Sequence, residues 1–134
     1  IRMEKEFIPY ALAVELKELG FDEPCLSCYD EEKTFEYDAI PNNQNLLQGF
    51  VSSPTFSQAF RWFREKHNLM FQIYYLRNGN HSVIIHKTTP EYMDIVDQLQ
   101  LSSGCVGEVV DCYSYEQAEL ECLKKLIEIV KKQK

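Results

Sequence analysis

A chain of 134 residues and 15.8 kDa has the length of one domain, and its make-up is that of a folded protein: 45% hydrophobic, 26% charged, five Gly and five Pro. This excludes disorder, collagen-like repeats and low-complexity linkers, and no apolar run reaches the ~18 residues of a membrane span, so the sequence reads as soluble with no membrane partner. Fourteen Lys and Arg against 21 Asp and Glu leave a net charge of −7 and a pI near 5.0, the wrong sign for broad nucleic-acid binding.

Residues 3–134 are expected to form a single α+β domain. Met3-Glu4-Lys5-Glu6 reads as a natural start, with Ile1 and Arg2 as vector-derived residues and no apolar signal core. The five cysteines, Cys25, Cys28, Cys105, Cys112 and Cys122, are an odd set without a secretory leader. That points to reduced thiols in a cytoplasm.

The first predicted element is a helix from Pro9 to Leu19, with Pro at the first helical position and Gly20 ending it. Ile8, Leu12, Leu16 and Leu19 fall on one stripe, and Tyr10 and Val14 form a second i,i+4 pair. Residues 25–38 read as a hairpin around Asp30-Glu31-Glu32-Lys33, because Phe35 and Tyr37 alternate with Glu36 and Asp38. Residues 41–49 read as a polar loop.

A second helix follows, with Ser53 as cap, Pro54 at its first position and Asn68 closing it. Phe56, Ala59, Phe60 and Phe63 make its buried stripe, and Trp62 lies on the flank between the faces. Residues 70–76 and 82–87 form a second hairpin, since Asn78-Gly79 tolerates positive φ at both positions. A short helix is expected over residues 89–101, with Tyr92, Ile95, Val96 and Leu99 at helical spacing. A strand from Gly107 to Tyr113 comes next.

The last helix opens on Ser114-Tyr115-Glu116-Gln117, a capping box. Leu123, Leu126, Ile127 and Val130 form its core stripe, extended by Ala118 and Cys122. Glu121–Lys125 and Glu128–Lys132 are pairs of favourable polarity. The order α-ββ-α-ββ-(α)-β-α predicts an antiparallel sheet of about five strands, two hairpins plus one strand, with three main helices packed on it.

Chemistry-bearing motifs are sparse. Cys25-x-x-Cys28 lacks the second close pair of a zinc site and the strand-to-helix context of a redox motif, so small buried hydrophobes are the simpler reading. His67 continues the apolar stripe of the second helix, His81 belongs to a hairpin tip, and His86 lies on a strand beside Lys87. No nucleophile elbow and no Gly-rich phosphate loop occurs. No metal, cofactor or catalytic residue is therefore assigned.

The aromatic load says more. Eight Tyr, eight Phe and one Trp exceed what a small core takes up. Tyr and Trp offer large, low-entropy contact area with a polar tip. The candidate binding residues are Trp62, Tyr74 and Tyr75, with the cations Arg61, Arg64 and Arg77, and His86.

Three stretches carry a resemblance. They are Phe7-Ile-Pro-Tyr with Leu16-Lys-Glu-Leu-Gly-Phe-Asp-Glu-Pro-Cys25, Ser53-Pro-Thr-Phe-Ser-Gln-Ala-Phe-Arg-Trp-Phe-Arg-Glu-Lys-His67, and the run from Tyr113 to Val130. Together, over about half the chain, they resemble a group of small proteins of gut bacteria, their prophages and phages. The resemblance implies a mobile-element origin and a cytoplasmic setting in a bacterial host. It carries no activity and no catalytic residue, and residues 70–113 depart from it.

The expectation from sequence is a non-enzymatic recognition domain that binds a host protein or a second copy of itself. A small-molecule binder that sequesters a nucleotide signal is the alternative. An enzyme built on His67, His86 and neighbouring carboxylates is the third reading.

Overall fold

Three α-helices and six strands, every pairing antiparallel, are seen in the computed structural model, which describes residues 3–87, 109–112 and 114–133. In chain order they are α1 (Tyr10–Glu18), β1 (Cys25–Tyr29), β2 (Phe35–Asn42), β3 (Val51–Ser52), α2 (Phe56–His67), β4 (Leu69–Tyr75), β5 (His81–Lys87), β6 (Val109–Cys112) and α3 (Tyr115–Lys132). The α+β class, the three helices and both hairpins stand as expected. The strands form two three-stranded sheets rather than one, in the orders β2-β1-β3 and β4-β5-β6. The additional strand is β3, whose two residues are too short to leave a periodic signal. The helix expected over 89–101, together with Cys105 and Tyr113, lies outside the described residues. Among the described residues no helix is long and apolar enough to cross a membrane.

The chain divides into two compact units, Ile1–Ala59 and Phe60–Lys134, with the boundary falling inside α2. In the first unit the α1 stripe of Ile8, Leu12, Leu16 and Leu19 is buried, as its spacing predicts. Pro9 stands at the cap, one residue before the helix, with an extended ψ of 157°. The helix ends in a full Schellman motif: Phe21 N–H donates to Leu16 O and Gly20 N–H to Lys17 O, both at 3.0 Å. Gly20 takes φ +98°, a conformation that costs a residue with a Cβ about 1–2 kcal/mol.

The β1–β2 turn is a three-residue loop in which Asp30 N–H donates to Thr34 O at 3.0 Å and Lys33, at φ +67°, donates to Asp30 O at 2.9 Å. Strand β2 runs past Pro41 to pair Asn42 with Cys25, across a register shift between Cys25 and Ser27. The loop that follows is not featureless. Asn45 donates to Phe21 O at 2.9 Å and accepts from Ser52 N–H at 2.8 Å, tying the end of α1 to β3.

Ser53 does not cap α2. Its hydroxyl donates to Ile8 O at 2.8 Å inside the first unit, and Thr55 Oγ1 accepts from Gln58 N–H at 3.1 Å as the cap instead. A buried carbonyl with no ladder partner outbids a helix end that a neighbouring hydroxyl can serve.

In the second unit β4 and β5 pair over all seven residues without a shift, from Leu69↔Lys87 to Tyr75↔His81. The turn is again a three-residue loop. Leu76 N–H donates to Asn80 O at 2.8 Å and Gly79 N–H to Leu76 O at 3.0 Å. Only Gly79 takes positive φ, at +89°, so the Asn78-Gly79 signal marks a type I turn with a glycine bulge rather than a two-residue turn.

Helix α3 lies against β4, β5 and β6. Its predicted stripe of Ala118, Cys122, Leu123, Leu126, Ile127 and Val130 is buried, with Ile129 added. Ser114 accepts from Gln117 N–H at 3.1 Å, the expected cap. Glu128 pairs with Lys132 at 3.1 Å as predicted, whereas Glu121 pairs with Lys124 at 3.2 Å, one residue short of the expected Lys125. Asn68 leaves α2 at φ +57°, which fits its reading as the helix stop.

Candidate functional site

The strand register of the second sheet sorts its side chains. Phe71, Ile73 and Tyr75 share one face with His81, Val83 and Ile85, and Met70, Gln72 and Tyr74 share the other with Ser82, Ile84 and His86. The first face takes the packing: Val83 and Ile85 are each 1% exposed, and Phe71 meets Phe60 with ring centres 4.3 Å apart. On the second face β4 remains in water, with Met70 42% and Tyr74 44% exposed.

Gln72 organises that second face. The Tyr74 hydroxyl donates to Gln72 Oε1, and His86 Nε2 lies 3.2 Å from the same oxygen. With Oε1 accepting from both, the N–H at His86 Nε2 is the donor. His86 is buried, and its Nδ1 has no partner among the described residues. Gln72 lies opposite Ile84, so it reaches His86 along the diagonal two residues away.

At the hairpin end the other face carries a second aromatic group. The His81 ring lies 5.3 Å from that of Tyr75 and 5.9 Å from that of Tyr115 at the start of α3. Tyr75 is 75% exposed. Burial raises the Tyr115 hydroxyl above its ordinary pKa, helped by Glu119, so it stays a neutral donor.

The expected site residues fare differently. Tyr74 and His86 meet at Gln72, and Tyr75 stands beside His81 at the exposed end. Arg77 is exposed in the hairpin turn, and Arg61 and Arg64 lie on the exposed side of α2. Trp62, read as a flank residue and a candidate for binding, is buried instead. Its ring meets Phe63 at 5.1 Å and His67 at 4.9 Å, so it serves packing. His67 accordingly belongs to an aromatic cluster, and among the described residues no carboxylate lies within hydrogen-bond reach of His86. Gln72 was not singled out by sequence, whereas His81 was read as a hairpin-tip residue and Tyr115 as part of the α3 capping box. The alternation of Met70, Gln72 and Tyr74 was its one visible trace.

The Cys-x-x-Cys of the first unit is chemically quiet. Burial pushes the Cys25 thiol up to about 12, against the lowering effect of a hydrogen bond with Ser52. Burial and then the nearby carboxylates Asp38, Glu36 and Asp30 push Cys28 up to about 11. Both thiols stay protonated at neutral pH, which suits small core residues. Among the described residues no group of three metal-ligating side chains comes together.

One carboxyl pair in the β1–β2 hairpin titrates unusually. The N–H of Thr34 and then a hydrogen bond from Glu36 hold Asp30 below the ordinary carboxylate range. The Glu36 carboxyl, whose proton bridges to Asp30, is raised. A carboxyl with a raised folded pKa stabilises the fold on the acid side and loses that contribution as pH rises through the folded value. At neutral pH two anions therefore face each other. Glu36→Gln keeps the donor at every pH and is expected to melt higher than the native chain at neutral pH. The difference shrinks as pH falls through the carboxylate range. Equal melting temperatures at neutral pH, or a gain that grows in acid, would contradict this pairing.

No protein-family model, curated protein or solved structure matches the chain.

Proposed function

We propose that this chain is a non-enzymatic recognition domain of the small phage and gut-bacterial type, and that its β4–β5 hairpin binds a protein partner in a host cytoplasm. One observation carries the reading. Strand β4, Leu-Met-Phe-Gln-Ile-Tyr-Tyr, has no charged residue, yet it holds Met70, Tyr74 and Tyr75 at 42%, 44% and 75% exposure. Water-facing strands ordinarily alternate apolar with charged residues, and exposed tyrosines are favoured where a surface is covered by another protein.

The polar tips support the same view. Tyr74 is pre-set by its bond to Gln72, and Tyr75 by its ring contact with His81, so little side-chain freedom is lost on binding. The test is capture from a gut-bacterial lysate by the chain and by its Tyr74→Ser, Tyr75→Ser variant. A protein retained by the first and lost with the second is expected, whereas identical recoveries would overturn the proposal.

A further inference from the structure

We infer that the outer edge of β4 pairs with β4 of a second copy of this chain, joining two three-stranded sheets into one of six strands. This rests on reading the hairpin as a protein-recognition surface, and adds self-pairing along the backbone edge of β4 to partner binding by the side chains on its faces.

The backbone provides the first argument. Leu76 and Asn80 form a hydrogen-bonded pair, since Leu76 N–H donates to Asn80 O at 2.8 Å. In an antiparallel ladder such pairs recur every second residue. The register then turns the N–H and C=O of Tyr74, Gln72 and Met70 toward β5. Those of Phe71, Ile73 and Tyr75 point outward, away from the sheet. Among the described residues these outward groups have no hydrogen-bond partner.

The edge strands β2 and β4 differ in how they are protected. Strand β2 of the first sheet carries the usual safeguards: Pro41, a register shift, and the carboxylates Glu36 and Asp38. Strand β4 carries none of them. It has no charge, no proline and no bulge over seven residues. An unguarded regular edge is a template for another strand.

The side chains identify the occupant as a second copy. Antiparallel self-pairing with the two-fold axis at Ile73 sets outward-pointing residues against outward-pointing residues, as the hydrogen bonds require. It places Phe71 opposite Tyr75 of the second copy on one face, and Gln72 opposite Tyr74 of the second copy on the other. The first pair is aromatic on aromatic. The second repeats across the interface the donor and acceptor that already meet within each chain. No like charges oppose each other in this register, because β4 holds no charged residue.

Sedimentation equilibrium of the full chain tests this, with two variants that share one lysine. Gln72→Lys with Tyr74→Lys sets like charges opposite each other only in the dimer centred on Ile73. Gln72→Lys with Tyr74→Glu sets opposite charges there. The native chain is expected at twice 15.8 kDa, the first variant at 15.8 kDa and the second again at twice that mass. Circular dichroism melts confirm that each variant is folded.

A monomeric native chain, a dimeric first variant or a monomeric second variant would each overturn self-pairing. A monomeric native chain that still captures a foreign protein through Tyr74 and Tyr75 overturns self-pairing and leaves the recognition reading standing. A monomer whose capture ignores those tyrosines overturns both.

Discussion

Phe63→Ala is expected to destabilise the protein by about 3–5 kcal/mol, among the largest effects of any single substitution in the described core. Phe63 is fully buried, and its ring lies 5.1 Å from Trp62 and 5.9 Å from His67. Removing it deletes the transfer energy of the ring and leaves a hole between two rigid aromatic neighbours, which cannot collapse as aliphatic chains can. Urea denaturation followed by circular dichroism should show the midpoint falling with the slope unchanged. A loss below about 1 kcal/mol would mean that the site repacks, and that the buried aromatic cluster of α2 is not what holds this helix.

The second large effect concerns one carbonyl. Ile8 is fully buried, and its carbonyl oxygen accepts from the Tyr29 hydroxyl at 3.0 Å and from the Ser53 hydroxyl at 2.8 Å. The same short segment is closed by Ile8 N–H donating to Pro54 O at 2.9 Å, so the chain entering α1 is tied to both β1 and the entry to α2. Tyr29→Phe or Ser53→Ala alone leaves one donor in place and should cost about 1 kcal/mol. The double variant leaves a buried carbonyl with no donor. It should cost about 3 kcal/mol, more than the two single losses together. Strict additivity in the double-mutant cycle would contradict a shared acceptor.

The helices were legible because their signals are local. The apolar stripe of α3 and its Ser114 cap, the glycine stop of α1 and the Asn68 stop of α2 each depend on residues within one or two turns. Features that depend on distant partners were not legible. Periodicity says which face of a strand is buried but not which strand lies beside it, so two sheets read as one. Ser53 looks like a cap in sequence, and only the position of the Ile8 carbonyl shows why it is used elsewhere.

Trp62 lies at the flank of its helical wheel, and the wheel carries no information about what covers a flank. The same limit applies to the candidate site. Tyr74, Tyr75 and His86 could be selected by residue type. Gln72 could not, because its link to His86 is a diagonal contact that exists only once the β4–β5 register is known. In Asn78-Gly79 the hairpin itself was legible, whereas the turn geometry was decided by Leu76 pairing with Asn80.

The two units also differ in what their surfaces offer. The first unit exposes Leu46 at 81% and Ile40 at 75%, but these lie in the turn after β2 and in its irregular part, where no regular edge presents free backbone groups. The second unit combines exposed tyrosines with a regular, uncharged edge. That combination, rather than exposure alone, makes the β4–β5 hairpin the recognition surface of the proposal.

Partner capture by three proteins in parallel tests the hairpin most directly: the native chain, the Tyr74→Ser, Tyr75→Ser variant, and a Leu46→Ser, Leu47→Ser variant that removes exposed apolar residues from the first unit instead. The reading predicts that the native chain and the Leu46, Leu47 variant retain the same protein, that the tyrosine variant loses it, and that all three melt alike. Retention by the tyrosine variant together with loss by the Leu46, Leu47 variant would contradict it, moving the binding surface to the first unit.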